Sequence, residues 1–466
     1  MSWFELEART AARARRLIEL GVKPEDFVAV ALPNGIEHHV SSFAAWRAGA
    51  TPCILPGKLP GRELAQIVEL AQPRVLVREG GEPVEGVTQI TPGADLASIQ
   101  PLPDLAAAHW KAITSGGSTG RPKLIVDHGE ARYDERLKGI GALVRMPCSG
   151  VMLNPGPLYH NAPFLFTTLA LLAGTRVVGM NRFDPEKALS LIERERVEWV
   201  CMVPTMMHRI WNLPPEVKAR YDLSSLRCVL HLAAPCPLWL KQAWIDWLGA
   251  DRILELYAGT EGAAVLITGE EWLRKPGSVG RACAEVLSVR DVDGKVCQPG
   301  RVGEIFFAAE SSGRFHYIGA EPRLDGAGRM SLGDLGYLDS DGYLYLSDRR
   351  TDLIIRGGAN IYPAEVEAAL VEHPAISDAV VLGLPCEEYG ARVHAIVHRT
   401  EELSIEEIHA FVRSRLAGYK CPESYELVDV ALRDAAGKVR RTALRDERLT
   451  WLAQGKRFLA APRSSR

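Results

Sequence analysis

Apolar side chains recur near the helical period at Leu6, Ala11, Ala14, Leu17, Ile18 and Leu20, with Arg13, Arg15 and Arg16 between them. The spacing predicts an amphipathic helix whose arginines form a solvated face. Val28 to Leu32 is an unbroken apolar run closed by Pro33-Asn34-Gly35, the pattern of a buried strand. The alternation continues with a helix over 37–48 and strands over 74–77, 150–153, 176–179, 198–203 and 227–232. Strands separated by helices pair in parallel, so the pattern predicts α/β architecture with two parallel sheets covered on both faces.

The texture changes near residue 283. Asp293-Gly294, Pro299-Gly300 and Asp341-Gly342 punctuate short strand-like runs, as expected of an antiparallel subdomain, a small β-barrel. After Asp348-Arg349 the pattern turns mixed again, with a helix over 363–371, a strand over 378–384, a helix over 404–416 and a strand over 425–429. We therefore expect a large domain over 1–348 and a small α+β domain over 353–466, joined over 349–352.

Composition narrows the function little. Lys and Arg number 55 against 58 acids, so charge makes no case for nucleic acid or a membrane surface. The 9 cysteines include no CxxC pair and are expected to be reduced thiols. No long apolar segment and no signal peptide are visible, so a cytoplasmic protein without stable membrane association is expected. The oligomeric state stays open, a homodimer being one option.

Chemistry concentrates in a few clusters. Thr114-Ser115-Gly116-Gly117-Ser118-Thr119-Gly120-Arg121-Pro122-Lys123 packs glycines, hydroxyls and a lysine between two apolar runs. Glycines let backbone amides face an anion, and hydroxyls and an ammonium add donors. Pro122 before Lys123 excludes the common Gly-Lys-Ser/Thr nucleotide loop. Further clusters are Tyr257-Ala258-Gly259-Thr260-Glu261, Gly333-Asp334 with Arg349, Gly357-Gly358-Ala359-Asn360-Ile361-Tyr362-Pro363, and Gly437-Lys438.

In this order the clusters resemble those of the adenylate-forming superfamily of acyl-CoA synthetases, luciferases and adenylation domains, over nearly the whole chain. The chain begins late against that pattern, so a trimmed first subdomain is expected. The resemblance implies ATP-dependent conversion of a carboxylic acid to acyl-AMP with release of pyrophosphate, then transfer to a thiol. It implies Mg²⁺ at Glu261, α-phosphate contact at Thr260 and ribose contacts at Asp334 and Arg349. Tyr257 would stack near the adenine, with Ala234, Ala258 and Gly259 around the nucleotide. Lys438 matches the superfamily's catalytic lysine, in a basic patch with Arg433, Arg440 and Arg441, and Thr351 matches the hinge about which the small domain rotates.

Gly357 and Gly358 resemble the acyl-CoA ligase form of that turn, which points to coenzyme A as acceptor. A carrier-protein phosphopantetheine arm, a nucleotide-binding relative without turnover and a luciferase-like oxygenase remain alternatives. The acyl pocket is expected among His160, Asn161, Phe164, His231, Leu232 and Ala233, with His160 a gate beside the carboxylate. His231 has an equal reading as a core histidine. The His231-Leu232-Ala233-Ala234-Pro235-Cys236-Pro237 string resembles ligases for bulky or carnitine-like acids, and an apolar acid is favoured.

Overall fold

The computed structural model describes residues 1–93, 101–116, 122–262, 264–283, 285–308, 313–349, 352–356, 359–386, 389–434 and 437–462, with backbone alone at 115, 116, 122, 348 and 349. The first helical period becomes the helix Trp3–Glu19, opened by a capping box between Ser2 and Glu5. Its arginine face is not all solvated. Arg13 is fully buried and donates to Glu37 (2.7 Å) and Ser41 (2.8 Å) of the helix Ile36–Arg47. A buried guanidinium is tolerated where a carboxylate and a hydroxyl accept its N–H groups.

The first sheet gathers β1 (Phe27–Ala31), β2 (Thr51–Ile54), β3 (Val75–Arg78), β4 (Thr88–Ile90), β5 (Ala112–Gly116) and β6 (Pro122–Asp127). The second holds β7 (Val151–Asn154), β8 (Arg176–Gly179), β9 (Trp199–Met202), β10 (Cys228–Leu232), β11 (Ile253–Ala258) and β12 (Ala264–Thr268). Their spines are parallel, as the alternation predicts, but neither sheet is wholly so. β5 runs antiparallel to β6, and β11 to β12. In both cases the connection is too short for the helical crossover that a parallel neighbour needs.

The third sheet is antiparallel, in the order β13 (Ser278–Arg281), β19 (Tyr343–Arg349), β18 (Met330–Leu338), β15 (Gly303–Phe307), β14 (Leu287–Arg290), where the small barrel is expected. Two strands from this stretch behave differently: β17 (Arg323–Leu324) pairs with β18, whereas β16 (Phe315–Ile318) leaves to become the edge strand of the first sheet, antiparallel to β6.

Beyond β19 come the hairpin β20 (Ile354–Arg356)–β21 (Ala359–Ile361) and a four-stranded sheet of β22 (Ile376–Cys386), β23 (Gly390–Arg399), β24 (Ser424–Val428) and β25 (Leu459–Ala460). Ile354, Val366, Leu370, Val381, Val393, Ile408 and Tyr425 form a core drawn from this stretch alone. No described helix is long and apolar enough to cross a membrane.

Candidate functional site

The glycine–hydroxyl cluster begins on β5 and ends on β6. Thr114 is half-buried at the end of β5, and Ser115 and Gly116 stand opposite Lys123 and Pro122 in the β5–β6 register. Gly117, Ser118, Thr119 and Gly120 lie outside the described residues. Lys123 sets its ammonium 3.9 Å from the ring centre of Tyr317 on β16. The Tyr317 hydroxyl in turn donates to Glu261 Oε1 at 2.6 Å. Burial, and next the Glu261 charge, push the Tyr317 phenol above its ordinary range, so it stays a proton donor. Three segments distant in sequence thus bring a cation and a carboxylate to one ring.

Glu261 sits in the turn after β11, closed by Gly262 N–H donating to the Gly259 carbonyl at 3.1 Å, with Thr260 half-buried between them. Gly259 leaves room for its neighbours: a Cβ would stand 2.6 Å from Leu332 Cδ1 and 2.8 Å from Glu261 Oε2, so both side chains would have to shift. At the end of β11 the Tyr257 hydroxyl donates to Asp334 Oδ2 at 2.7 Å, so the residues expected at adenine and ribose do meet. Asp334 pairs with Arg349 in the β18–β19 register, the Arg349 side chain being outside what is described. Ala258 is exposed beside this turn and Ala234 is half-buried in the loop after β10.

The second group forms around His160, the residue before the helix Asn161–Leu172. Its ring lies 4.4 Å from that of Tyr159, centre to centre, and its Nε2 is 3.8 Å from Asp434 Oδ2. Burial first, then the nearby Lys438 ammonium, lower the His160 pKa to about 4, with Asp434 opposing. His160 is therefore neutral at physiological pH. The loop carrying Lys438 is pinned by Lys438 N–H donating to Asp434 Oδ1 at 2.9 Å. It also rests on the second-sheet layer: Gly437 has φ +74, and a Cβ there would meet Thr205 Oγ1 at 3.1 Å and Val203 Cγ2 at 3.4 Å.

The expected basic patch needs correction. Arg433 bonds Asp378 and Glu367, and Arg441 bonds Glu367 and Asp352. Both guanidiniums are held by carboxylates of this chain, the buried Glu367 and Asp378 and the half-buried Asp352. Arg440 instead reaches Glu63 at 3.3 Å, across to the first-sheet layer.

The expected acyl-pocket residues separate as well. Leu232 packs in a cluster with Ala162, Leu165, Leu256 and Leu266. His231 precedes it on β10 and so faces the other side of the sheet. There its Nε2 lies 3.9 Å from Glu255 Oε2, and Lys241 holds the same carboxylate oxygen at 2.5 Å. His231 is thus a core histidine, held neutral by burial and by the Lys241 charge. Phe164 is fully buried among Val28, Val30, Leu32 and Ala44 of the first-sheet layer, also away from Leu232. Asn161 carries a buried Oδ1 with no hydrogen-bond partner, beside His160. Ala233 is exposed at φ +73, a left-handed conformation that costs an alanine about 1 kcal/mol. Gly357, Gly358 and Thr351 lie outside the described residues.

The profile of the AMP-binding enzyme family matches residues 1–314, and that of the AMP-binding enzyme C-terminal domain matches 365–438. This chain belongs to the AMP-binding enzymes. Similar curated proteins include a feruloyl-CoA synthase of Amycolatopsis, 32% identical over 468 residues, covering 96% of this chain and 93% of that protein. A 2-succinylbenzoate–CoA ligase of Bacillus velezensis is 31% identical over 469 residues, with 96% and 93% covered. Among solved structures, an o-succinylbenzoate CoA synthetase from Bacillus subtilis with its acyl-adenylate intermediate superposes with a TM-score of 0.81 at 27% identity, covering 96% of this chain and 93% of that one.

Sequence reasoning missed two residues of this AMP-binding enzyme's site. Tyr317 carried no signal, because a tyrosine in a short β run reads as sheet surface until β16 is seen to cross between sheets. Asp434 lies four residues before Lys438, yet only the folded loop shows that it faces His160. One prediction concerns the scaffold beneath. Lys241→Met strands the buried Glu255 carboxylate, and we expect a loss of about 3 kcal/mol at neutral pH by denaturant titration. Burial already holds the Glu255 carboxyl above its usual value against the pull of Lys241. Without Lys241 it rises further, so the deficit should shrink as pH falls and the folded protein takes up the proton. A deficit that widens towards pH 5 would contradict this account.

Proposed function

We propose that this AMP-binding enzyme activates an apolar carboxylic acid with ATP and passes the acyl group to coenzyme A. The supporting observation is the seating of the Lys438 loop near His160 and Thr205, which brings the Lys438 ammonium close to His160. In the first step a carboxylate oxygen attacks the α-phosphorus and the bond to pyrophosphate breaks. Catalysis of such a step is mainly positioning and neutralisation of charge. Lys438 would bridge the carboxylate and α-phosphate oxygens. Lys123, with Ser115, Ser118 and Thr119, would meet the outer phosphates, and Asp334 with Arg349 would hold the ribose beside Tyr257.

The donors fit a hard dication: Glu261 offers carboxylate oxygen and Thr260 a hydroxyl, with no soft ligand at the turn. Mg²⁺ bound there would neutralise phosphate charge. Neutral His160 neither attracts nor repels the incoming carboxylate, as suits a gate. In the second step the CoA thiol sulfur attacks the acyl carbonyl and AMP leaves. Thr351 would serve as hinge between residues 1–348 and 353–466, and Gly357-Gly358 would let pantetheine pass close to the backbone. The use of ATP and CoA supports a cytoplasmic location.

The Leu232–Ala162–Leu165 cluster supports an apolar acyl group. The decisive experiment measures AMP release from ATP with a panel of aryl, fatty and polycyclic acids, with and without CoA. CoA-dependent AMP is the expected result. Adenylate that waits for a carrier protein would redirect the acceptor, and no turnover with any acid would overturn the reading.

A further inference from the structure

Away from the nucleotide site, three imidazoles meet where β6 ends and β16 begins. The rings of His109, His128 and His316 stand 5.0–5.8 Å apart, centre to centre. Backbone carbonyls fix their tautomers, since a carbonyl can only accept. His109 Nδ1 is 3.1 Å from the Asp127 oxygen and His128 Nδ1 is 3.0 Å from the Gly313 oxygen, so both carry the proton there. His128 Nε2 is then an acceptor, and His316 Nδ1, 2.8 Å away, donates to it.

This contact lies on β16, an edge strand that pairs with no described strand but β6. The His128 backbone N–H also donates to the Arg314 carbonyl at 2.8 Å, so His128 grips the strand at three points. Side chains alternate along a strand, so Tyr317 projects to the opposite face from His316, where it holds Glu261 and underlies Lys123. Arg314, just ahead of β16, packs beside Gly262 of the same turn.

We propose that His128 and His316 are positioning residues for the Glu261–Lys123 site, their shared hydrogen bond fastening β16 and hence Tyr317. The proposal rests on the reading that this site serves ATP. Among the described residues, the charged groups around the pair are Lys111 and Asp127, ion-paired at 2.8 Å, Arg136 at 3.9 Å from Asp127, and Arg314. The one carboxylate among them is already shared by two cations. One added proton can be shared between the rings, whereas a second sets two N–H groups head to head with no acceptor. Burial, then the charges of His128 and His109, hold His316 below its ordinary value. The folded strand thus binds protons less readily than the unfolded chain, and its attachment weakens as pH falls below about 6.5.

The test pairs two variants with a readout independent of catalysis. His316→Leu deletes the donor, while His316→Gln keeps a donor that does not titrate. Expected at pH 7.5 is a roughly ten-fold rise in KM for ATP in His316→Leu, with kcat changed less and His316→Gln like wild type. Between pH 7.5 and 5.5 the wild-type KM for ATP should climb, and hydrogen-exchange protection of amides 315–318 should fall. His316→Gln should flatten both trends. Wild-type protection independent of pH, or a His316→Gln profile identical to wild type, overturns the latch. Protection that follows pH while KM does not overturns its role in positioning Tyr317. Failure of the enzymatic reading would show separately, as wild-type protein without ATP-dependent turnover, and the exchange pattern would still decide whether the histidines fasten β16.

Discussion

Lys438→Ala should lower acyl-AMP formation by about 10²–10³-fold, the loss typical of deleting one preorganised donor to a developing anion. The expectation comes from placement. Lys438 is solvent-facing, yet close enough to depress the titration of His160, and its loop is fixed by the Asp434 bond and by Gly437 packing on Thr205. A lysine merely hydrated at a domain surface would not be held this way. Pyrophosphate–ATP exchange measures the first half-reaction, and thioester formation from synthetic acyl-AMP measures the second. The variant should fail the first and retain most of the second, because the second does not pass through the pentavalent phosphorus. Equal loss of both would mark Lys438 as a docking residue, and unchanged exchange would remove it from the mechanism.

Local chemistry was legible in the chain to the extent that it is local. The turn Gly259-Thr260-Glu261-Gly262 and the glycine before Lys438 announce themselves because Gly262 and Gly437 take φ of +92 and +74, which glycine adopts without strain. Where the helical and strand periods gave an element bounds, most fell within a residue or two of those observed, since burial dictates them. Long-range pairing was not legible. Nothing in Phe315-His316-Tyr317-Ile318 says that this strand leaves its neighbours for the first sheet, and with it went the Tyr317–Glu261 contact. Charge was misread for the same reason. Arg13, Arg433 and Arg441 look solvated or ligand-directed until their carboxylates arrive from elsewhere in the chain. At the expected pocket the face of the strand was not legible either: His231 and Leu232 are adjacent in sequence and lie on opposite faces of β10.

Glu261→Gln tests the other half of the site while leaving its shape intact. The amide oxygen can still accept from the Tyr317 hydroxyl, so the 2.6 Å contact and the packing around Gly259 should survive. Only the negative charge goes, and charge is what a hard dication requires of its ligand. We expect kcat/KM for ATP to fall about 100-fold, near 2.7 kcal/mol of transition-state stabilisation. The Mg²⁺ concentration for half-maximal rate should rise in parallel, and thermal stability should change little. Tyr317→Phe is the matching control. It keeps the carboxylate but frees it to turn, so a smaller loss is expected, about ten-fold, with a Mg²⁺ requirement that moves in the same direction. If Glu261→Gln left the Mg²⁺ titration unmoved while melting the fold, Glu261 would be a buried anchor for β16, and the dication would have to be held by other residues.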